Sequence, residues 1–172
     1  GERTDIVEVW DAEKLSFKYE IPISDKRAMA LNYKWLLSLS ADGRWLFVQN
    51  ATPATSITVV DLQAKKMVSE ITTPGCWAAY PIPSSSNRFG MLCGDGTAQI
   101  VTLAEDGSAA SRSISEPLFD PDGDALFMQG EPTGDTFHFV SFTGNLYSID
   151  MSGEKAVAAG KVPLVSRAER KK

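Results

Sequence analysis

Basic residues are the minority in this 172-residue chain: 17 Lys and Arg stand against 22 Asp and Glu, a formal net charge of -5. That is the wrong sign for a protein that binds nucleic acid by displacing counterions from phosphates, so no nucleic-acid partner is expected. Long apolar runs are missing as well. No stretch approaches the ~20 residues that a bilayer-crossing helix needs, and Gly1-Glu2-Arg3-Thr4-Asp5 has no signal-peptide hydrophobic segment. The expectation is a soluble chain with no membrane partner, any export signal lying outside it. Histidine occurs once, at His138, and cysteine twice, at Cys76 and Cys93, 17 positions apart. This lacks the repeated short spacing of a structural zinc site, and His138 has only Asp135 nearby as a co-ligand. The two cysteines are compatible with one disulfide or two free thiols. A bridge would stabilise the domain by roughly 3 kcal/mol through loop closure and would imply an oxidising compartment.

Helical periodicity is also scarce. Apolar residues make up 43% and charged ones 23%, values of a globular domain rather than an acidic disordered tail, and at this length one domain is expected. The apolar pattern has period two, in short runs broken by turn residues, which predicts an all-β chain. Ile6-Val7-Glu8-Val9-Trp10 and Leu15-Ser16-Phe17-Lys18-Tyr19-Glu20-Ile21 form a first hairpin across Asp11-Ala12-Glu13-Lys14. Candidate strands then fall at 33–39, 45–49, 56–62 and 66–71; at 77–81, 88–93, 98–103 and 111–114; and at 125–129, 136–142, 145–150 and 156–162.

Aligning the third strand of each group places Asp11, Asp61, Leu103 and Asp150 at equivalent positions, with intervals of 50, 42 and 47 residues. Four strands in a period of about 40 to 50 residues are the signature of a β-propeller blade. A β-sandwich with chance spacing is the competing architecture. The propeller reading gives one partial domain over 1–172, with a half blade at 5–21 and blades at about 33–71, 76–115 and 125–162. The N-terminal half lacks two inner strands, so a larger propeller cut at both ends is expected. Ser166-Arg167-Ala168-Glu169-Arg170-Lys171-Lys172 reads as an N-cap and helix formers, the start of a connection.

Few chemical constellations stand out. Trp10, Trp35, Trp45 and Trp77 lie in or beside candidate strands, where packing between sheets is expected. Asp120-Pro121-Asp122-Gly123-Asp124 offers three carboxylates for calcium, but the loop spacing and the distal bidentate Glu are missing and a Pro-Asp-Gly turn fits better. Cys93-Gly94-Asp95-Gly96 precedes a strand, so it reads as a tight hairpin rather than a phosphate cradle. His138 sits on a strand pattern, and no serine stands in a nucleophile elbow that it could serve. Asn50-Ala51-Thr52 matches a glycosylation sequon, a pattern short polar strings often meet by chance.

Several strings resemble one family. They are Gly1-Glu2-Arg3-Thr4-Asp5-Ile6-Val7-Glu8-Val9-Trp10-Asp11, Gln49-Asn50-Ala51-Thr52-Pro53-Ala54-Thr55-Ser56-Ile57, Gly75-Cys76-Trp77, Leu92-Cys93-Gly94-Asp95-Gly96 and Phe139-Val140-Ser141-Phe142-Thr143-Gly144-Asn145-Leu146-Tyr147-Ser148. They are similar, in collinear order, to the large subunit of the quinoprotein amine dehydrogenases. The second and third strings favour the aromatic amine dehydrogenases over the methylamine enzymes. The resemblance implies about three and a half middle blades of a seven-bladed propeller, in a periplasmic heterotetramer of two large and two small subunits. It implies that the cofactor, tryptophan tryptophylquinone, is carried by the small cysteine-dense subunit, with none in this chain. The implied partners are that subunit, the remainder of the propeller and, as electron acceptor, a small copper protein of azurin or amicyanin type. The implied reaction is oxidative deamination of a primary amine to an aldehyde. No catalytic, cofactor-binding or metal residue carries over to this chain; Cys76 and Cys93 match the family's large-subunit cysteine pair, which implies a disulfide. The competing functions are a propeller scaffold for protein interactions without redox chemistry, and a self-contained propeller enzyme.

Overall fold

The computed structural model describes residues 3–29 and 33–166. Among the described residues fourteen strands build four antiparallel sheets in chain order. The first is a hairpin of β1 (Asp5–Asp11) and β2 (Ser16–Ile23). The second comprises β3 (Leu37–Leu39), β4 (Trp45–Asn50), β5 (Ser56–Asp61) and β6 (Lys66–Thr72). The third comprises β7 (Cys76–Pro81), β8 (Arg88–Cys93), β9 (Ala98–Leu103) and β10 (Ala109–Ile114). The last comprises β11 (Glu131–Thr133), β12 (Thr136–Val140), β13 (Asn145–Asp150) and β14 (Val157–Pro163). Each four-stranded sheet is a simple meander.

The sheets stack face to face, and alternation along the middle strands explains why. Successive side chains on a strand point to opposite faces, so a strand between two neighbours must be apolar on both. Every residue of β4 and β5 is buried. Leu46, Val48 and Val60 face Val7, Ile21 and Ile23 of the first hairpin. Trp45, Phe47, Ile57 and Val59 face the other way, onto Phe89, Met91, Val101 and Leu103, with the Phe47 and Phe89 rings 4.6 Å apart. The opposite face of the third sheet, through Tyr80, Leu92 and Ile100, meets Phe137, Phe139 and Ile149 of the last. Gly90 leaves room there for Met151, whose sulfur any Cβ at this position would have to displace.

Side-chain bonds cross these seams. The Gln49 Oε1 accepts from the Ala78 N–H at 2.9 Å, at a bulge of β7 where Ala78 has φ +63°. Strand ends use a repeated device: Asp11 and Asp61 each accept two backbone N–H groups of the following turn, and Asp150 accepts that of Ser152. Three of the four equivalent positions, all but Leu103, thus carry the local turn that such side chains favour.

Two expected strands are mostly lost and a third is shortened. Of 33–39 only Leu37–Leu39 is strand; Lys34–Leu36 is a 3-10 turn that buries Trp35 against Tyr80 and Phe137. Of 125–129 only Leu126 makes a bridge, to Ser141, and the ladder resumes at Glu131. The cause is competition for backbone carbonyls: that of Met128 accepts from the Tyr80 hydroxyl at 2.8 Å and that of Gly130 from the Trp35 indole at 2.7 Å. β12 also stops at Val140, short of the expected 142, because the Ser141 carbonyl accepts from Gly144 N–H at 3.0 Å and closes the turn into β13. The expected helix start at 166–172 lies outside the described residues but for Ser166.

Replacing Phe137 by alanine removes a fully buried ring shared by the third and last sheets, and should lower unfolding free energy by about 3–5 kcal/mol. A denaturant midpoint unchanged from wild type would show that the two sheets do not share this core.

Candidate functional face and polar centres

Cys76 opens β7 and Cys93 closes β8, directly opposite each other in register, and they form a disulfide. The bridge ties the first strand of the third sheet to the second at one end of the sheet. Gly94 N–H also bonds the Gly75 carbonyl at 2.8 Å. The following residues make the tight hairpin expected at Cys93-Gly94-Asp95-Gly96: Gly96 takes φ +85° and its N–H bonds the Cys93 carbonyl, while Asp95 accepts from Thr97 N–H and hydroxyl. Only glycine reaches that φ cheaply, and a Cβ at Gly96 would lie 2.2 Å from the Phe119 carbonyl oxygen.

This end of the sheet carries a pocket of about 230 Å³ floored by the disulfide hairpin and walled by Trp77, Leu92, Phe119, Leu126 and Met128. A larger groove of about 420 Å³ lies between β1, with Ile6 and Glu8, and the second sheet, with Leu37 and Val48.

Asp120 and Asp124 have separate duties in the acidic loop. Asp120 accepts from the N–H groups of Asp122 and Gly123, as a turn carboxylate does. Asp124 points inward and is 7% exposed. Its oxygens accept from Thr143 N–H and hydroxyl at 3.0 and 2.7 Å, Asn145 Nδ2 at 2.8 Å and the Tyr147 hydroxyl at 2.9 Å, with Lys161 Nζ at 3.2 Å. Burial pushes its pKa up, but the hydrogen bonds to the charged form outweigh this and hold it far below the usual carboxylate range. Among the described residues no three His, Cys, Asp or Glu side chains converge as a metal site requires. Sequence reading missed this centre. The available signal was the alternation Thr143, Asn145, Tyr147, which puts three hydrogen-bonding side chains on one face of β13 and its turn.

Asp61 is a second centre: Arg44 donates to it at 2.9 Å and lies over the Trp45 ring at 4.0 Å. Here too burial raises the pKa and is outweighed, by the Ala64 N–H and Arg44. His138 lies on the outer face of the last sheet with Nδ1 2.9 Å from the Ser148 hydroxyl. Among the described residues no third side chain orients it. Asn50 of the sequon is fully buried, bonding Ser56 and Thr58. Trp35 and Trp45 are buried and Trp77 half-buried, but Trp10 is 53% exposed, edge-on to Phe17 at 5.7 Å. Packing between sheets was expected of all four; Trp10 departs from it because it lies on the outer face of the first hairpin, which no sheet covers among the described residues.

The family model for methylamine dehydrogenase heavy chain (MADH) matches residues 1–172. The chain belongs to this family. Curated heavy chains from Methylorubrum extorquens and Paracoccus versutus are each 26% identical, over 174 and 173 residues, and cover 99% of the chain. It spans 42% and 39% of their lengths. Solved structures agree on the fold. The β-propeller domain of Myceliophteria thermophila Cps50 (Swd1) matches 94% of this heavy-chain segment and 50% of its own chain, with TM-score 0.63 and 19% identity. Kuenenia stuttgartiensis hydrazine synthase matches 92% and 56%, with TM-score 0.60 and 13% identity. The segment is therefore a partial β-propeller, its four-stranded sheets being the blades.

Two outcomes are expected. Alkylation of the denatured chain should add no mass before reduction and two alkyl groups after it; two groups without reduction would disprove the bridge. The depressed pKa of Asp124 means that its stabilisation is present above the ordinary carboxylate pKa and is lost as pH falls below about 4. The stability gap between wild type and Asp124→Asn should accordingly narrow between pH 5 and pH 2 in urea titrations. A gap constant with pH would assign the effect to lost hydrogen bonds alone.

Proposed function

We propose that this chain is part of the non-catalytic heavy subunit of a tryptophan tryptophylquinone-dependent amine dehydrogenase acting on aromatic primary amines. The observation that carries the reading is the family match over 1–172. The aromatic branch is supported by Asn50-Ala51-Thr52-Pro53-Ala54-Thr55-Ser56-Ile57 and Gly75-Cys76-Trp77, which resemble that branch. Periplasmic location fits with the disulfide, which persists in oxidising compartments.

The tryptophans of this chain do not suit the quinone, which needs two of them joined. Trp35 is committed to Gly130, Tyr80 and Phe137, Trp45 lies under Arg44, and no two tryptophan rings are in contact among the described residues. The cofactor belongs instead to a small partner subunit, where it would oxidise the amine to an aldehyde and pass electrons to a small copper protein. The work of this chain is mechanical: stacked blades, pinned at one end by Cys76–Cys93 and at the last blade by Asp124, hold a rigid surface for the partner.

The test is a dye-linked assay on the full-length heavy subunit with and without its small subunit, using tyramine, tryptamine and methylamine. Turnover is expected only with both subunits and faster with the aromatic amines. Turnover by the heavy subunit alone would refute the non-catalytic role, and a preference for methylamine would refute the aromatic assignment.

A further inference from the structure

The pocket beside the disulfide is built to receive something. Its walls are Trp77, Leu92, Phe119, Ala125, Leu126 and Met128, and no charged side chain lines it. Its shape is fixed in advance: the Cys76–Cys93 bridge, the Gly94 to Gly75 bond and the Leu118 N–H to Gly96 carbonyl bond at 2.7 Å hold the surrounding backbone. A preformed apolar recess loses little entropy on filling, which is what makes such places energetic centres of interfaces. Within the same segment Phe127, which does not line the pocket, lies 6.0 Å ring to ring from Phe142, and the two are 49% and 78% exposed.

The rim is acidic. Residues 113–154 contain eight Asp and Glu and no Lys or Arg. Of these, Glu116, Asp120 and Asp122 are exposed in the loop that carries Phe119 into the pocket wall, and exposed Asp95 follows Gly94 on the opposite side. None of the four forms a salt bridge among the described residues. An apolar recess flanked by exposed carboxylates that form no salt bridge selects a partner of opposite sign.

We infer that this face seats a polypeptide that presents one protruding apolar side chain ringed by lysine or arginine. In the assembly proposed above that polypeptide is the small subunit, so the inference rests on that reading. The apolar side chain fills the pocket, and the basic ring lies over Glu116, Asp120, Asp122 and Asp95.

The experiment measures affinity of the full-length heavy subunit for its small subunit by titration calorimetry at low and high salt. Ala125 is exposed at the pocket wall, so Ala125→Trp blocks the recess without disturbing the core, and should weaken binding about tenfold or more. Glu116→Lys combined with Asp122→Lys should weaken binding about tenfold at low salt, with a smaller loss at high salt, as screened charges do. Disulfide mass and thermal midpoint check that each variant is folded. Wild-type affinity in both folded variants overturns the inference and leaves the proposed function standing. Variants that alter only association between heavy subunits, or only binding of the copper protein, also overturn it. A wild-type heavy subunit that binds no small subunit overturns the proposed function itself, and this partner with it.

Discussion

A sheet placed between two others has to be apolar on both faces while its backbone stays fully paired, and most of this structure follows from that demand. It is why β4 and β5 are buried at every position while the outer strand β14 is exposed throughout. The same demand is met at the buried Gln49, a polar side chain that spends its hydrogen bonds within the seam. Gln49 accepts from Ala78 across one seam and donates to the carbonyls of Asn50 and Ser56. Burial of apolar area supplies the attraction, at roughly 25 cal/mol per Å², but has no direction. Register between sheets comes from such bonds and from shape, as at Gly90 against Met151.

Reading these strands from the sequence works where the information is local. β9 and β13 fall at their expected limits because turn residues bound them on both sides: Gly94-Asp95-Gly96 precedes one, Thr143-Gly144 the other. Reading fails where a distant side chain outbids the ladder. Trp35 and Tyr80 are 95 and 48 residues away from the carbonyls they claim, and no period-two pattern announces them. Asp124 was hidden in the same way, since within its own loop it looks like one more turn carboxylate. Only when Thr143, Asn145 and Tyr147 come alongside does it become a centre.

The tryptophans show the same division. Their strand context correctly indicates packing for Trp35 and Trp45, yet says nothing of which sheet has a neighbour, and Trp10 is the side chain exposed by that omission. Family resemblance supplies what periodicity cannot: the expectation that the proposed quinone belongs to another chain. Here Trp35 and Trp45 are buried and held by contacts of their own, Trp77 is half-buried, and the exposed Trp10 bonds Glu8.

Asn50 faces the seam between the first hairpin and the second sheet with no exposed surface. In a folded chain no oligosaccharyltransferase could reach it, but that enzyme works on chains as they are threaded into a secretory compartment, before sheets have stacked. A glycan attached at Asn50-Ala51-Thr52 would then occupy the space where Ser56, Thr58 and Glu70 close around the amide. The hairpin could not seat, and the polar contacts of that seam would be lost with it. Production of this propeller in a eukaryotic secretory host therefore carries a folding hazard that a bacterial periplasm without such glycosylation does not impose.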